Sequence, residues 1–318
     1  MKKTEENGMN RMDKLKEITE QLEKAVQEFM DSDKYKIFLF KMAQFHTYSL
    51  NNVLLIARQK PDATLCASYN GWKKQNRYVK KGEKGIKIIC PAPYKAATLK
   101  NVINQETGKE MLTADGKPMK EVVEVIVPAY KVGYTFDISQ TEGEPLPEII
   151  HNLEGELSNH QTELKEALLK GSPVPVFFRQ IEENGYYNLT EKYIVVNKDL
   201  PERQMLKTLI HEIGHALLHN IDAPEAQVDL PTKEVQAESI AYVVCQYFGM
   251  DTSEYSFGYI SDWSTGKDVK ELKNSLEVIR STSNDIISKT EKLLVEIQYP
   301  KQELAEAIQD IHKKGRSM

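Results

Sequence analysis

The stretch KTLIHEIGHALLH, residues 207–219, decides how this chain is read. His211 and His215 are four apart, so a helix places both imidazoles on one face, a turn apart, where they can chelate one ion. Glu212 stands about 100° round that helix, close enough to reach a water on the metal without being a ligand. Zinc would draw that water's pKa towards ~7 and polarise a scissile carbonyl. Glu212 would take the proton and pass it to the leaving nitrogen. Gly214 lets a neighbour pack closely. The plainer alternative is a surface helix with two solvated histidines. The surroundings favour the first reading. Leu206, Leu209, Ile210, Ile213 and Leu217 line one side of a helix over 201–219, and Pro201 suits its first position. A hairpin pattern at 174–178, 186–187 and 193–196 precedes it, and a strand there can hold an extended peptide by edge pairing.

A catalytic ion needs a third protein ligand and an open position. Between His219 and His312 there is no histidine, which favours an acid. The next helix, over 232–248, carries Glu234 and Glu238, four apart on one face. Ordinary surface glutamates are the alternative. Leu218 stands where the metzincin pattern has glycine, so that continuation is absent. The pair resembles the ExxxD/E pair of the glutamate zincins. That resemblance implies Glu234 as ligand and Glu238 behind a histidine, with the exchange of roles left open, and one Zn2+ per chain. His219, one turn past His215, reads as solvated or capping near the helix end, with accessory ligation the alternative. Tyr255 and Tyr259 read as core, with oxyanion stabilisation the alternative.

The chain has 318 residues, enough for two domains or one large one. A net charge of −5 argues against the whole chain coating nucleic acid. Cys66, Cys90 and Cys245 show no CxxC spacing. A reducing compartment is therefore expected, rather than a disulfide framework or an all-cysteine zinc site. No apolar signal core follows Met1, and no apolar run approaches the ~18 residues of a membrane helix. A soluble, cytoplasmic protein with no membrane partner is expected.

Helical spacing runs through residues 11–58, and short strand-like stretches through 63–136, with a polar loop or exposed hairpin at 99–119. The polar stretch SQTEGEPLP, residues 139–147, suggests a boundary, giving domains over 1–145 and 146–300 and a charged tail over 301–318. A helix is expected over 147–169 and one or two over 267–298. Residues 69–95 hold eight Lys or Arg against one acid, Glu83, with Tyr69, Trp72, Tyr78 and Tyr94 interleaved. Single-stranded nucleic acid is held by cations along its backbone and aromatic faces under its bases. A solvated basic hairpin with core aromatics is the alternative.

FHTYSLNNVLLIARQKPDATLCASYNGWKKQNRYVKKGEKGIKIICP, residues 45–91, and FDISQTEGEPLP, residues 136–147, resemble the N-terminal domain of ArdC-type antirestriction proteins and their LtrC-like relatives. HEIGHALLH and KEVQAESIAYVVCQYFGMDTSEYSFGYISDWS continue the resemblance, and this half is also similar to the ImmA/IrrE metallopeptidases. The resemblance implies an α+β chain. Its mixed α/β N-terminal domain would bind single-stranded DNA, and a zincin-like domain with a small sheet and an HExxH helix would follow. It also implies service to mobile DNA, such as protecting an entering strand from restriction. Candidate strand contacts, chosen from their chemistry, are Tyr48, Asn52, Trp72, Lys73, Arg77, Lys80, Lys81 and Lys84. Two functions stay open. One is a zinc protease, ImmA-like, that DNA localises or regulates, with a repressor or restriction component as substrate. The other is a DNA-binding protection protein whose metal site is structural or vestigial. Loss of the metal through His211→Ala is expected to leave DNA binding intact, because the two sites lie in different domains.

Overall fold

Apolar residues at spacings of three and four produce three helices before residue 60: α1 (Lys2–Glu28), α2 (Ser32–Gln44) and α3 (Leu50–Gln59). Ile18, Leu22 and Val26 of α1 and Phe38, Leu39 and Met42 of α2 are buried. Helix α3 is buried at every position from Asn52 to Ala57, as suits a helix that is apolar almost all round. The structure, a computed structural model, describes residues 2–105, 107–146 and 157–298. Residues 147–156 of the expected helix, Pro147 of the polar stretch and the tail over 301–318 lie outside the described residues.

Next come β1 (Cys66–Ala67), α4 (Tyr69–Lys74), β2 (Arg77–Val79), β3 (Ile86–Pro91), β4 (Tyr94–Asn101), β5 (Lys120–Val127), β6 (Tyr130–Asp137) and β7 (Thr141–Gly143). Strand β6 is central, with β1 and β3 antiparallel on either side. Strands β4 and β5 form a separate hairpin whose Leu99, Val122 and Ile126 are exposed. Helix α4 departs from the strand-like texture of the sequence. Ser68 caps it by accepting from the Gly71 amide at 3.0 Å. Trp72 Nε1 donates to the Phe136 carbonyl at 2.8 Å, pinning the turn to β6.

The second half begins with α5 (Leu157–Gly171) and a three-stranded sheet of β8 (Val176–Arg179), β9 (Gly185–Asn188) and β10 (Tyr193–Asn197). Strand β10 is in the middle, parallel to β8 and antiparallel to β9, with Ile194, Val195 and Val196 fully buried. Helices α6 (Glu202–Leu218), α7 (Leu230–Tyr247), α8 (Ile260–Ser264) and α9 (Val269–Gln298) follow. Pro201 is the residue before α6 rather than its first turn. Leu217 is exposed, not part of the buried side. Residues 267–298 resolve to one long helix. No helix among the described residues is long and apolar enough to cross a membrane.

The two halves share a core. Helix α2 lies on α7, and α1 and α3 touch α9. One apolar cluster runs from Ile18 through Leu54 and Ile240 to Ile287. Within it, Tyr35 Oη and Ser239 Oγ are hydrogen-bonded at 2.8 Å, both residues fully buried. Arg280 Nη1 on α9 donates to the Tyr48 carbonyl at 3.3 Å. Packing contacts thus cross the compositional boundary at residues 139–147.

Trp72 reports on the first half and Trp263, bonded to Thr232 Oγ1 at 2.9 Å, on the second. Trp72→Phe and Trp263→Phe chains, followed by fluorescence in urea, should each show one transition, and that transition should coincide with the chain's far-UV signal. A fluorescence midpoint well apart from it would mean two independent folding units. Tyr35→Phe should cost about 1–3 kcal/mol, because it strands the Ser239 hydroxyl.

Candidate metal centre

Helix α6 is held between the small sheet and α7. On one side, a Cβ on Gly214 would stand 3.5 Å from Ala237 Cα. An alanine fits there, and a longer side chain would push the helices apart. On the other side, a Cβ on Gly185 of β9 would meet Thr208 Cγ2 at 2.6 Å and the Val195 carbonyl at 2.9 Å. No side chain fits that gap. Helix α7 starts where Asp229 Oδ1 accepts the Thr232 amide at 2.7 Å, and Glu234 follows just past its first turn.

This packing brings His211, His215 and Glu234 together, with one donor atom from each lying within 4.8 Å of the others. His211 Nε2 and His215 Nε2 are 3.0 Å apart, and each is 3.5 Å from a different oxygen of Glu234. Ligand distances of ~2.0–2.1 Å give tetrahedral edges of about 3.3 Å. Two imidazoles and a carboxylate at these spacings therefore fit a divalent cation. Glu238 Oε2 lies 3.2 Å from His211 Nδ1, and its other oxygen is 3.4 Å from Lys207 Nζ. Lys207 also sits 3.6 Å above the Tyr255 ring. A small cavity beside the cluster, about 270 Å3, is lined by Gly185, Lys207, Thr208, Glu212 and Glu238.

His215 Nδ1 meets His219 Nδ1 at 2.9 Å, and His219 Nε2 meets Gln236 Oε1 at 2.9 Å. His219 is thus neither solvated nor an accessory ligand. It is buried behind His215. Tyr255 is core as expected, its hydroxyl donating to Cys245 Sγ at 3.7 Å. Tyr259, also read as core, is instead 40% exposed; burial of its phenol group, then the charges of Glu238 and Glu234, push that group upward.

The electrostatics ask for positive charge. Burial opposes a proton on His211, yet its bonds to Glu234 and Glu238 and the charge of Glu212 outweigh this and raise it to about 9. Glu234 is held far below the usual carboxylate range by the imidazoles of His211 and His215 beside it. Glu212 is raised, chiefly by burial, while the neighbouring histidines pull the other way. Its carboxylate also accepts from the Tyr187 amide of β9. Burial lowers His219 to about 4. Lys207 was missed in the sequence, although it stands one turn before His211. Gln236 had no sequence signal at all.

The candidate strand contacts divide in two. Trp72 is buried, so its ring has no free face for a base. Asn52 is buried too, bonded through both amide atoms to the Ile89 backbone at 3.0 and 2.8 Å. Tyr48 donates to the Cys66 carbonyl at 2.9 Å. Arg77 is committed to Thr141 Oγ1, at 2.9 Å, and to the Gly143 carbonyl. These four brace the domain. Lys73, Lys80, Lys81 and Lys84 are exposed, although Lys80 Nζ rests on the Ser139 carbonyl at 2.9 Å. The exposed aromatics near them are Tyr69, Tyr78 and Tyr134, the last missed because strand register alone turns it outward.

A sheet-backed helix with paired histidines, facing a second helix with an acid, defines a zincin-like domain. Residues 10–136 match the family described as the N-terminal domain of anti-restriction factor ArdC, and residues 170–257 match the IrrE N-terminal-like domain. The first half thus carries an ArdC-type N-terminal domain and the second an IrrE-like domain. The chain is 32% identical over 289 residues to an uncharacterized Bacillus anthracis protein, covering 81% of this chain and 48% of that one. The chain thus spans about half the length of the curated relative it matches. Two crystal structures of the antirestriction protein ArdC from the R388 plasmid are also similar. The metal-free one aligns with 20% identity and a TM-score of 0.45, and the Mn(II)-bound one with 18% and 0.42. Both alignments cover 78% of this chain and 84% of the other.

Glu234→Ala should abolish tight metal binding in a chelator-competition titration. Glu238→Gln should weaken it about 10–100-fold, as removal of a ligand's support does. The reverse order would exchange the roles of the two glutamates.

Proposed function

We propose that this protein binds single-stranded DNA of a mobile element through its first half and hydrolyses a peptide bond at the metal centre of its second. The observation that carries the peptidase reading is Glu212. It is a buried carboxyl raised above its ordinary range, next to three converging metal donors and against the strand β9. A zinc ion held by His211, His215 and Glu234 would supply Lewis acidity to a carbonyl and acidify a water. A raised carboxyl is a stronger proton acceptor, which suits Glu212 to take a proton there and return it to a leaving nitrogen. Glu238 orients His211 and is itself steadied by Lys207. Strand β9 pairs on one side only among the described strands, so its other edge is free to align an extended peptide. The substrate class is a repressor or a restriction component of the host.

Strand binding is supported by the exposed Lys73, Lys81 and Lys84 and by the exposed rings of Tyr69, Tyr78 and Tyr134 in the same half. The ArdC description of the matched family ties this half to antirestriction. A second reading has its own observation. Helix α7, which supplies Glu234, is bonded to α2 through Ser239 and Tyr35. A metal that stiffened α7 would brace the first half, and the centre would then be structural.

Glu212→Gln separates the two readings. It should keep about one zinc per chain, by the ligand count, and should lose peptide cleavage and protection of incoming DNA together. Full protection by this variant would favour the structural role. For the first half, affinity for an oligonucleotide should fall with salt and survive changes of base sequence. The double variant Lys81→Glu, Lys84→Glu should reduce the salt slope by roughly 0.7 for each phosphate contact removed. Tighter binding to duplex than to single strand would remove the strand-binding reading.

A further inference from the structure

The geometry points to His219, held by Gln236, as a positioning residue that fixes the proton of His215 on Nδ1 and keeps its Nε2 as a bare metal donor. The inference rests on the metal-centre reading above and adds how one ligand is set.

The argument starts at the far end. Gln236 Nε2 faces Glu225 Oε2 at 3.4 Å and Ser275 Oγ at 3.2 Å. A carboxylate only accepts, so Glu225 assigns the NH2 end of Gln236 and turns Oε1 towards His219. An amide oxygen also only accepts, so at 2.9 Å His219 Nε2 must carry the hydrogen. Among the described residues no carboxylate contacts the His219 ring, and the residue is only 5% exposed. A cation there would be costly, so the ring is neutral, with one donor and one acceptor. Its Nδ1 is then the acceptor, 2.9 Å from His215 Nδ1. His215 must donate from Nδ1, which leaves its Nε2 lone pair facing His211 and Glu234.

The two ligand histidines are thus set by different means. His211 has a carboxylate behind it, Glu238. His215 has a neutral chain of imidazole and amide. The difference has an electrostatic reason, because Glu212, Glu234 and Glu238 already surround the site. A neutral partner selects the tautomer without adding a fourth negative charge. The helix supplies the spacing: His211, His215 and His219 follow at intervals of four, with ring centroids 4.7 and 5.0 Å apart.

The test uses the full-length chain. Long-range 1H–15N spectra of the histidine rings in the metal-free wild type should show His215 as the Nδ1–H tautomer. His219→Phe keeps the volume and removes the acceptor. It should release that tautomer and weaken zinc binding about 10–100-fold in chelator competition. His219→Gln, whose amide oxygen can accept from His215, should restore affinity to within a few-fold of wild type. Far-UV dichroism should match for all three chains. The relay is overturned if wild-type His215 carries its proton on Nε2, if His219→Phe binds zinc as tightly as wild type, or if the glutamine variant rescues nothing while folding normally. A wild type that bound no zinc would instead overturn the metal centre, and the ring spectra would still decide the tautomer.

Discussion

The contact between α6 and α7 at Gly214 and Ala237 governs most of what lies around it. With room for no more than a methyl group at Gly214, the two helices lie close enough for the Glu234 carboxylate to reach the imidazoles of His211 and His215 at 3.5 Å. The same approach puts Glu238 on His211 and Gln236 on His219. A carboxylate, two ring nitrogens and two supporting groups are thus placed by one close contact. Gly185 performs the corresponding service on the sheet side, letting β9 lie against Thr208 and Glu212. Wider spacing on either face would leave buried polar groups without partners, which costs more than the contact itself.

The charge in the centre is unbalanced by design of the donor set. Three glutamates converge on two histidines that are neutral in their ordinary range. His211 answers by holding a proton up to about 9. Replacing that proton by a divalent ion satisfies the same carboxylates and frees the imidazole for ligation. Glu212 stands apart from this balance. Burial against β9 raises its carboxyl while Glu234 is driven down. Neighbouring acids pushed in opposite directions suit the separate roles proposed for them, ligand for Glu234 and proton carrier for Glu212.

The first half distributes its basic and aromatic residues according to burial rather than sequence position. Trp72, Arg77, Asn52 and Tyr48 tie α3 and α4 to the sheet and to the segment around β7. The lysines near the turn at Gly82 remain exposed, with Tyr78 and Tyr134 near them. Exposed lysines and open rings are the groups that the proposed strand binding would use. This half is also not a separate body. Tyr35 and Ser239 join it to the helix that carries Glu234 and Glu238.

By itself the sequence determined the local features. The spacing of His211 and His215 is a property of helical periodicity, and the apolar side of α6 follows from the same period. The three helices before residue 60 and the strands β8, β9 and β10 were legible for that reason. The histidine-poor stretch after His219 pointed to an acid in the next helix, because a missing residue type needs no fold to be noticed. What depends on contacts between distant segments came only from the tertiary structure. Whether Trp72 faces a base or the Phe136 carbonyl, whether His219 meets water or Gln236, and whether residue 145 divides two bodies are decided by packing across tens of residues. Periodicity describes a side chain's direction within its own helix or strand. It carries no information about which distant partner that direction meets, and in this protein the partner separates ligand from support and contact from core.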